Sequence, residues 1–117
     1  MKLSFSKNRI NLIHSFGISR SSNDYYDIIY IYIMDGDFIG RGEAAPSKRY
    51  GESSELLLSV LESGIQVPEN YQSREHLWDF LKPQLKKISS LEAAVSMAIW
   101  DLSTQKQNIP LYKSFGF

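Results

Sequence analysis

A run of ten residues, 25–34, constrains the fold of this chain more than any other segment. Its sequence, YYDIIYIYIM, is made almost entirely of aromatic and β-branched side chains. Such side chains pack well on a pleated sheet, so the run predicts a β-strand. It ends at Asp35-Gly36, a dipeptide that suits the two positive φ angles of a tight hairpin turn. A return strand over residues 37–44 and an earlier strand over residues 2–13, with a bulge near residues 6–9, complete a predicted antiparallel meander.

The predicted central strand has apolar residues on both of its faces. Ile29, Ile31 and Ile33 share one face, and Ile28 lies with tyrosines on the other. A sheet with one solvated face alternates apolar and polar residues, so both faces here favour a covering layer. Helices of the same chain can cover one face. For the other, cover by loops, a second domain or a second subunit remains open beside the simpler interpretation that the tyrosine hydroxyls reach solvent.

Helical patterns replace the strand pattern in the second half of the chain. Ser53 or Ser54 is predicted to cap a first helix that ends at Gly64. Ser73 is predicted to cap a second helix that ends before Pro83, because proline interrupts helical hydrogen bonding.

The third helix has the most regular pattern. Ser89 and Glu92 fit a capping box, and Asn108 and Pro110 are predicted to end the helix. Its apolar residues recur at helical spacing and form one unbroken face: Leu91, Ala94, Val95, Ala98, Ile99 and Leu102. Strands followed by helices predict an α+β fold, a three-stranded antiparallel meander followed by a bundle of three helices.

Length and composition narrow the classes of function. A chain of 117 residues is expected to form one domain. Thirteen basic residues balance thirteen acidic ones, which gives no electrostatic reason to expect nucleic acid or an anionic membrane as partner. The absence of cysteine excludes disulfides and thiolate chemistry. No apolar run approaches the roughly 18 residues of a membrane span, so a cytoplasmic protein is expected.

Catalytic and metal-binding patterns are scarce. His14 and His76 lie on unrelated segments without local catalytic partners, and no spacing of acidic residues and histidines matches a zinc or calcium site. Glu43 is expected to be partly buried, because it lies at the end of a strand next to small residues. A partly buried carboxylate can act in acid–base catalysis or can support the adjoining loop. Loop support is the favoured interpretation. Glu52 is interpreted as a first-turn residue that complements a helix dipole.

Two predicted loops carry a different kind of signal. Arg20 lies in a serine-rich loop, and Lys48, Arg49 and Tyr50 lie in a second loop that the meander places at the same end of the sheet. Arginine binds carboxylates through paired hydrogen bonds. A carboxylate-binding lid is therefore one hypothesis for these residues, and charged loops exposed to solvent are the simpler interpretation.

Several segments follow one another in a distinctive order. They are residues 16–20 (FGISR), the Asp35-Gly36 turn, residues 40–46 (GRGEAAP), residues 49–52 (RYGE), Ala94 with residues 97–102 (MAIWDL), and residues 110–112 (PLY). Over the whole chain this order resembles the N-terminal capping domain of the enolase superfamily, in its muconate-lactonizing subgroup. Within that subgroup it is most similar to the dipeptide epimerases, and the RYGE loop carries that preference.

The resemblance implies a role and a division of labour. It implies that residues 1–117 form a cap over a (β/α)₈ barrel, and that Arg20, Arg49 and Tyr50 contact a dipeptide or another small carboxylic acid while Glu43 supports the loop. In the family, lysine bases and three carboxylates that bind Mg²⁺ lie on the barrel, and this sequence has no Lys-x-Lys pattern. The resemblance thus implies that this chain holds neither catalytic residues nor metal and is inactive alone. A non-enzymatic binding or homo-oligomeric assembly module, and the cap of a muconate cycloisomerase or succinylbenzoate synthase, are the alternatives.

Overall fold

A computed structural model describes residues 1–11, 25–47 and 51–107. Three strands, β1 (Lys2–Asn11), β2 (Tyr25–Asp35) and β3 (Phe38–Ala44), form an antiparallel sheet in the order β1-β2-β3. Three α-helices follow: α1 (Ser54–Glu62), α2 (Arg74–Leu81), which continues into a 3₁₀ turn (Lys82–Leu85), and α3 (Ser89–Gln107). The predicted α+β meander with three helices is confirmed.

The hairpin and the strand register differ from expectation in detail. Residues of β1 and β2 pair without interruption from Lys2 opposite Met34 to the far end of β1, so the predicted bulge is wrong. Asp35 pairs with Phe38, which makes Gly36 and the residue after it the centre of the turn. Gly36 has a φ of +61°, and glycine at the first central position is typical of a type II′ hairpin. The turn therefore lies one residue later than predicted.

One face of the sheet packs against α3 through unusually small residues. Ile29, Ile31 and Ile33 are 0% exposed on this face. A Cβ atom at Gly42 would overlap the backbone of Ala94 in α3, and one at Gly40 would overlap that of Ala98. The helix backbone therefore lies directly on β3. All six residues of the predicted apolar face of α3 are buried, which confirms that prediction.

Side chains of α3 cover the outer edge of β3. The Asp101 carboxylate accepts a hydrogen bond from the Arg41 amide at 2.9 Å. The Gln105 side chain accepts from the Ile39 amide at 3.3 Å and donates to the Ile39 carbonyl at 2.6 Å. An uncovered strand edge is a template for association with another chain. These polar contacts satisfy three backbone groups on this edge of β3, the amides of Ile39 and Arg41 and the carbonyl of Ile39.

The helix boundaries follow from capping. Ser53 and Ser73 accept hydrogen bonds from amides in the first turns of α1 and α2, as predicted. Gly64, with a φ of +94°, follows α1, and the 3₁₀ turn with Pro83 ends α2. The predicted capping box of α3 is wrong, because Ser89 is already the first helical residue. Residues 108–110, predicted to end α3, lie outside the described residues.

The second apolar face of β2 points away from this core. Ile28, Tyr30, Tyr32 and Met34 are half-buried among their neighbours on the sheet. The Tyr32 hydroxyl lies 3.4 Å from that of Ser6 on β1, which is diagonal to Tyr32 and opposite Tyr30. Within the described residues, this face of β2 is thus partly exposed.

Candidate functional site

The antiparallel sheet brings both predicted substrate loops to one end. β1 ends at Asn11, β2 begins at Tyr25, and Ala44 at the end of β3 pairs with Ile29 near the start of β2. The chain therefore leaves and re-enters the sheet for residues 12–24, and leaves it again after Ala44, at the same end. We call this the loop end of the sheet. It is where the sequence predicted a carboxylate-binding lid.

The predicted site residues fall into two groups. Arg20, Arg49 and Tyr50 lie outside the described residues, so their roles stay predictions. Glu43 lies in β3 opposite Tyr30, with an exposed side chain. The expected partial burial of Glu43 is wrong, because alternation along β3 directs Ala44 and Gly42 to the core and Glu43 to the other face. Its loop-supporting role stays a prediction.

Glu52 closes the base of the second loop. One carboxylate oxygen accepts a hydrogen bond from the Ser47 amide at 2.9 Å, and the Glu52 amide donates to the Ser47 carbonyl at 2.9 Å. The other carboxylate oxygen accepts from the Ser90 amide in the first turn of α3 at 3.4 Å. The residue is only 7% exposed. Glu52 therefore joins the loop base to the N-terminus of α3. The prediction that Glu52 is a first-turn residue of α1 is wrong, because it precedes the N-cap Ser53.

The surroundings of Glu52 favour its charged form. Burial alone would raise the pKa of this carboxyl. Hydrogen bonds from the Ser47 amide and from Ser90 and Ser89 outweigh burial and hold the pKa below its ordinary value of 4.5. A negative charge at the start of α3 also complements the helix dipole. Glu52 is thus an ionised structural carboxylate at neutral pH, unsuited to act as a proton donor.

Asp27 lies at the loop end of β2 and contacts two other elements. Its Oδ1 accepts from Arg9 Nε on β1 at 3.0 Å, and its Oδ2 accepts from the hydroxyl of Ser54, the first residue of α1, at 2.8 Å. The Asp27 side chain is 9% exposed. The hydrogen bond from Arg9, opposed by burial and assisted by Ser54, lowers the pKa of Asp27.

A second polar cluster lies at the opposite, hairpin end of the sheet. Lys106 Nζ is 2.7 Å from an Asp35 carboxylate oxygen and 3.1 Å from the Tyr71 hydroxyl, which itself donates to Asp35 at 3.2 Å. Next to this cluster is a cavity of about 460 Å³, lined in part by Arg74. Arg74 stacks on Trp100 with its guanidinium carbon 3.8 Å from the ring centre.

The described residues contain no candidate metal site and no candidate membrane-spanning helix. In residues 1–11, 25–47 and 51–107, no three histidine or acidic side chains come together in a way that could hold a metal ion. No helix in these ranges is both long and apolar enough to cross a membrane.

Sequence reasoning missed the two carboxylates that organise the loop end. Glu52 was assigned only to the dipole of α1, and Asp27 was not singled out. One feature of the sequence does mark Asp27: it is the single acidic residue within the apolar run of residues 25–34. Nothing in the sequence pairs Glu52 with Ser90, which is 38 residues away.

Sequence relatives of this chain are dipeptide epimerases. The chain is 28% identical over 120 residues to the L-Ala-D/L-amino acid epimerase of Flavobacterium johnsoniae, a match that covers 100% of this chain and 35% of that protein. It is 27% identical over 101 residues to the L-Ala-D/L-Glu epimerase of Escherichia coli, covering 86% of this chain and 30% of that protein. The chain thus spans about a third of the length of these curated relatives. No protein-family model matches it.

Solved structures with the same fold come from this group of enzymes. A dipeptide epimerase from Methylococcus capsulatus, complexed with Mg and the dipeptide L-Arg-D-Lys, superposes with a TM-score of 0.73 at 21% identity and covers 98% of this chain and 34% of that chain. An enolase family member from Agrobacterium tumefaciens with homology to dipeptide epimerases, with bound sodium and L-Ala-L-Glu, gives 0.61 at 28% identity, covering 96% and 33%. The resemblance seen in the sequence is thereby confirmed: the chain is similar in sequence to dipeptide epimerases, and its α+β fold matches the N-terminal domain of enolase-type structures.

Proposed function

We propose that residues 1–117 form the substrate-capping and specificity domain of a Mg²⁺-dependent isomerase similar to the dipeptide epimerases. In this proposal a (β/α)₈ barrel outside the chain carries out a 1,1-proton transfer at an amino acid α-carbon. The observation that carries the proposal is the loop end of the sheet, where both predicted substrate loops are anchored. The similarity of the whole chain to about a third of known epimerases supports it.

Each predicted contact has a stated role in this proposal. Arg20 and Arg49 bind a carboxylate of the dipeptide or small acid through paired, charge-assisted hydrogen bonds. Tyr50 packs its ring against the substrate and excludes water. Closure of such loops over a barrel assembles the site and keeps bulk solvent from the reacting atoms.

The metal belongs to the rest of the enzyme. Related structures contain Mg or sodium together with a dipeptide, whereas the described residues of this chain bring no metal-ligand set together. We therefore assign the Mg²⁺ ligands and the lysine bases to the barrel. This chain contributes binding, orientation and the exclusion of water.

The division of labour can be tested with the chain alone. Purified chain is mixed with Mg²⁺ and L-Ala-L-Glu in D₂O, and the α-proton signal of the glutamate residue is followed by NMR. We expect no exchange above the background rate. Exchange that depends on the chain would place catalytic groups within it and contradict the proposal.

The specificity role can be tested in a chimera. This chain replaces the matching third of the E. coli epimerase, and epimerisation is measured for L-Ala-L-Glu. Arg49→Ala is expected to raise KM by about 10- to 100-fold, the loss of one charge-assisted contact. Arg41→Ala is the matched control, because Arg41 is an exposed arginine on β3 away from the loops. Equal effects of the two substitutions would contradict the assignment of Arg49.

A second candidate function rests on the outer face of the sheet. Ile28, Tyr30, Tyr32 and Met34 are only half-buried there, which suits a self-assembly module. Sedimentation equilibrium of the isolated chain separates the two candidates. A concentration-dependent dimer that Tyr30→Lys abolishes supports assembly, and a monomer at all concentrations supports the cap alone.

A further inference from the structure

We propose that Asp27 couples the anchors of the two loops, so that both are positioned as one unit at the loop end of the sheet. The description of these loops as substrate loops rests on the proposed function. The coupling itself rests on contacts among described residues. Asp27 is therefore a positioning residue in this proposal, because it acts through the loops and not on substrate.

The two oxygens of Asp27 have different partners. Oδ1 is held by Arg9, which pairs with Asp27 across the sheet two residues before β1 ends. Oδ2 is held by Ser54, which follows Glu52 by two residues at the start of α1. This carboxylate on β2 thus contacts β1, the strand before residues 12–24, and α1, the helix that follows the second loop.

The connection continues from Ser54 to the base of the second loop. Ser53, between Ser54 and Glu52, is fixed as the N-cap of α1 by the hydrogen bond from the Leu56 amide at 3.1 Å. Glu52 in turn holds Ser47. Arg9 is therefore connected to Ser47 through the side-chain hydrogen bonds of Asp27 and Glu52 and the two peptide units between Glu52 and Ser54.

Burial makes the contact between β2 and α1 hard to replace by water. Asp27 is 9% exposed in its side chain, and Ser54 is 6% exposed as a residue. Hydrogen bonds to a charged group are stronger than neutral ones, and a buried partner left alone is costly. Arg9, at 47%, is the exposed member of the group. The link that matters for coupling is therefore the one between Ser54 and Asp27.

The test uses the 117-residue chain without substrate and the variant Ser54→Ala. Amide shifts and hydrogen exchange are recorded by NMR, and rates are expressed relative to central α3 amides, which report global opening. We expect the amides of Arg9 and Ile10 to shift and to exchange about tenfold faster than this reference, although the substitution lies in α1. Ser59→Ala, an exposed serine on the same helix, is the matched control and should leave these amides unchanged. Changes confined to α1 would overturn the proposal.

Two further variants keep the result decisive. Ser54→Thr retains the hydroxyl and is expected to restore the wild-type exchange rates at β1. Asp27→Asn retains the shape of the side chain and is expected to change the amide chemical shifts of Arg9 and Gly51 together. A change at only one of these amides overturns the coupling, and this test stands even if Ser54→Ala fails to fold. Because no dipeptide is present, failure of the chain to act as a cap leaves these outcomes unaffected, and the two proposals can fail separately.

Discussion

Replacing Glu52 with alanine is expected to destabilise the chain by about 2–4 kcal/mol. The Ser47 amide, at 2.9 Å, loses a charged partner, worth about 1.5–3 kcal/mol. The Ser90 amide is 3.4 Å away, so its bond is weaker and adds about 0.5–1 kcal/mol. For a domain of this size, each kcal/mol lowers Tm by about 4 °C, which predicts a fall of about 8–16 °C.

Urea unfolding followed by circular dichroism measures this loss. Glu62→Ala is the matched control, because Glu62 is an exposed glutamate at the end of α1 and should change stability by less than about 0.5 kcal/mol. Glu52→Gln keeps one acceptor oxygen but loses the charge, so we expect about half the effect of alanine. Loss of stability is expected without a change in the apolar core, and the m-value should stay constant.

The free energy of unfolding of wild type and Glu52→Ala, measured as a function of pH, can refute the proposed role of Glu52. Because the folded-state pKa of Glu52 is lowered, its contribution is complete above the ordinary value of 4.5 and is lost as the pH falls through the folded-state pKa. The difference between wild type and Glu52→Ala should therefore shrink below pH 4.5. A difference under about 0.5 kcal/mol at pH 7, or one that does not shrink in acid, would show that the charged carboxylate does not hold the loop base.

Three further predictions concern α3 and its contacts. Gly42→Ala should lower the free energy of unfolding, measured by thermal unfolding, by about 3 kcal/mol, because the new Cβ would overlap the α3 backbone. Gly36→Ala is the control: its Cβ would meet open space at a φ of +61°, so the loss should be only about 1–2 kcal/mol. Equal losses would contradict the close packing of α3 on β3. Asp101→Ala should lower stability by about 1–2 kcal/mol and increase light scattering at high concentration, because a strand-edge amide loses its partner; unchanged scattering would argue against edge protection. Lys106 donates a hydrogen bond to the Asp35 carboxylate, which raises the pKa of Lys106, so this contact's contribution to stability is complete below the ordinary value of 10.5 and is lost as the pH rises through the folded-state pKa. Lys106→Met should remove this alkaline loss in urea midpoints, and an unchanged alkaline profile would contradict it.

Local patterns in the sequence account for most of the fold. The apolar run of β2, the serine caps of α1 and α2 and the helical face of α3 each depend on residues close together in the chain. Alternation and helical periodicity report directly on such local geometry. The order of strands then follows, because short connections between strands favour antiparallel neighbours.

The predictions that were wrong, or that were missing, concern residues whose partners lie far away in the sequence. The imperfect apolar alternation around residues 6–9 suggested a bulge, but pairing with the regular β2 imposes a continuous register. A capping box with Glu92 was predicted for the start of α3. In the structure, the Ser90 amide in the first turn of α3 donates to Glu52 instead. Asp27 gains its partners only when β1 and α1 meet β2. Long-range hydrogen bonds of this kind leave no periodic trace in a sequence, which is why the anchors of the candidate site were missed.

The close approach of α3 to β3 gives both ends of the sheet a common support. Because Gly40 and Gly42 carry no side chain, the helix backbone rests on the strand along its length. At its N-terminus α3 meets Glu52 at the loop end, and near its C-terminus Lys106 meets Asp35 at the hairpin end. A helix of 19 residues held in this way cannot shift at one end without disturbing the other. The loop anchors are therefore fixed to a helix whose apolar face is buried among the described residues, as the proposed positioning of substrate loops requires.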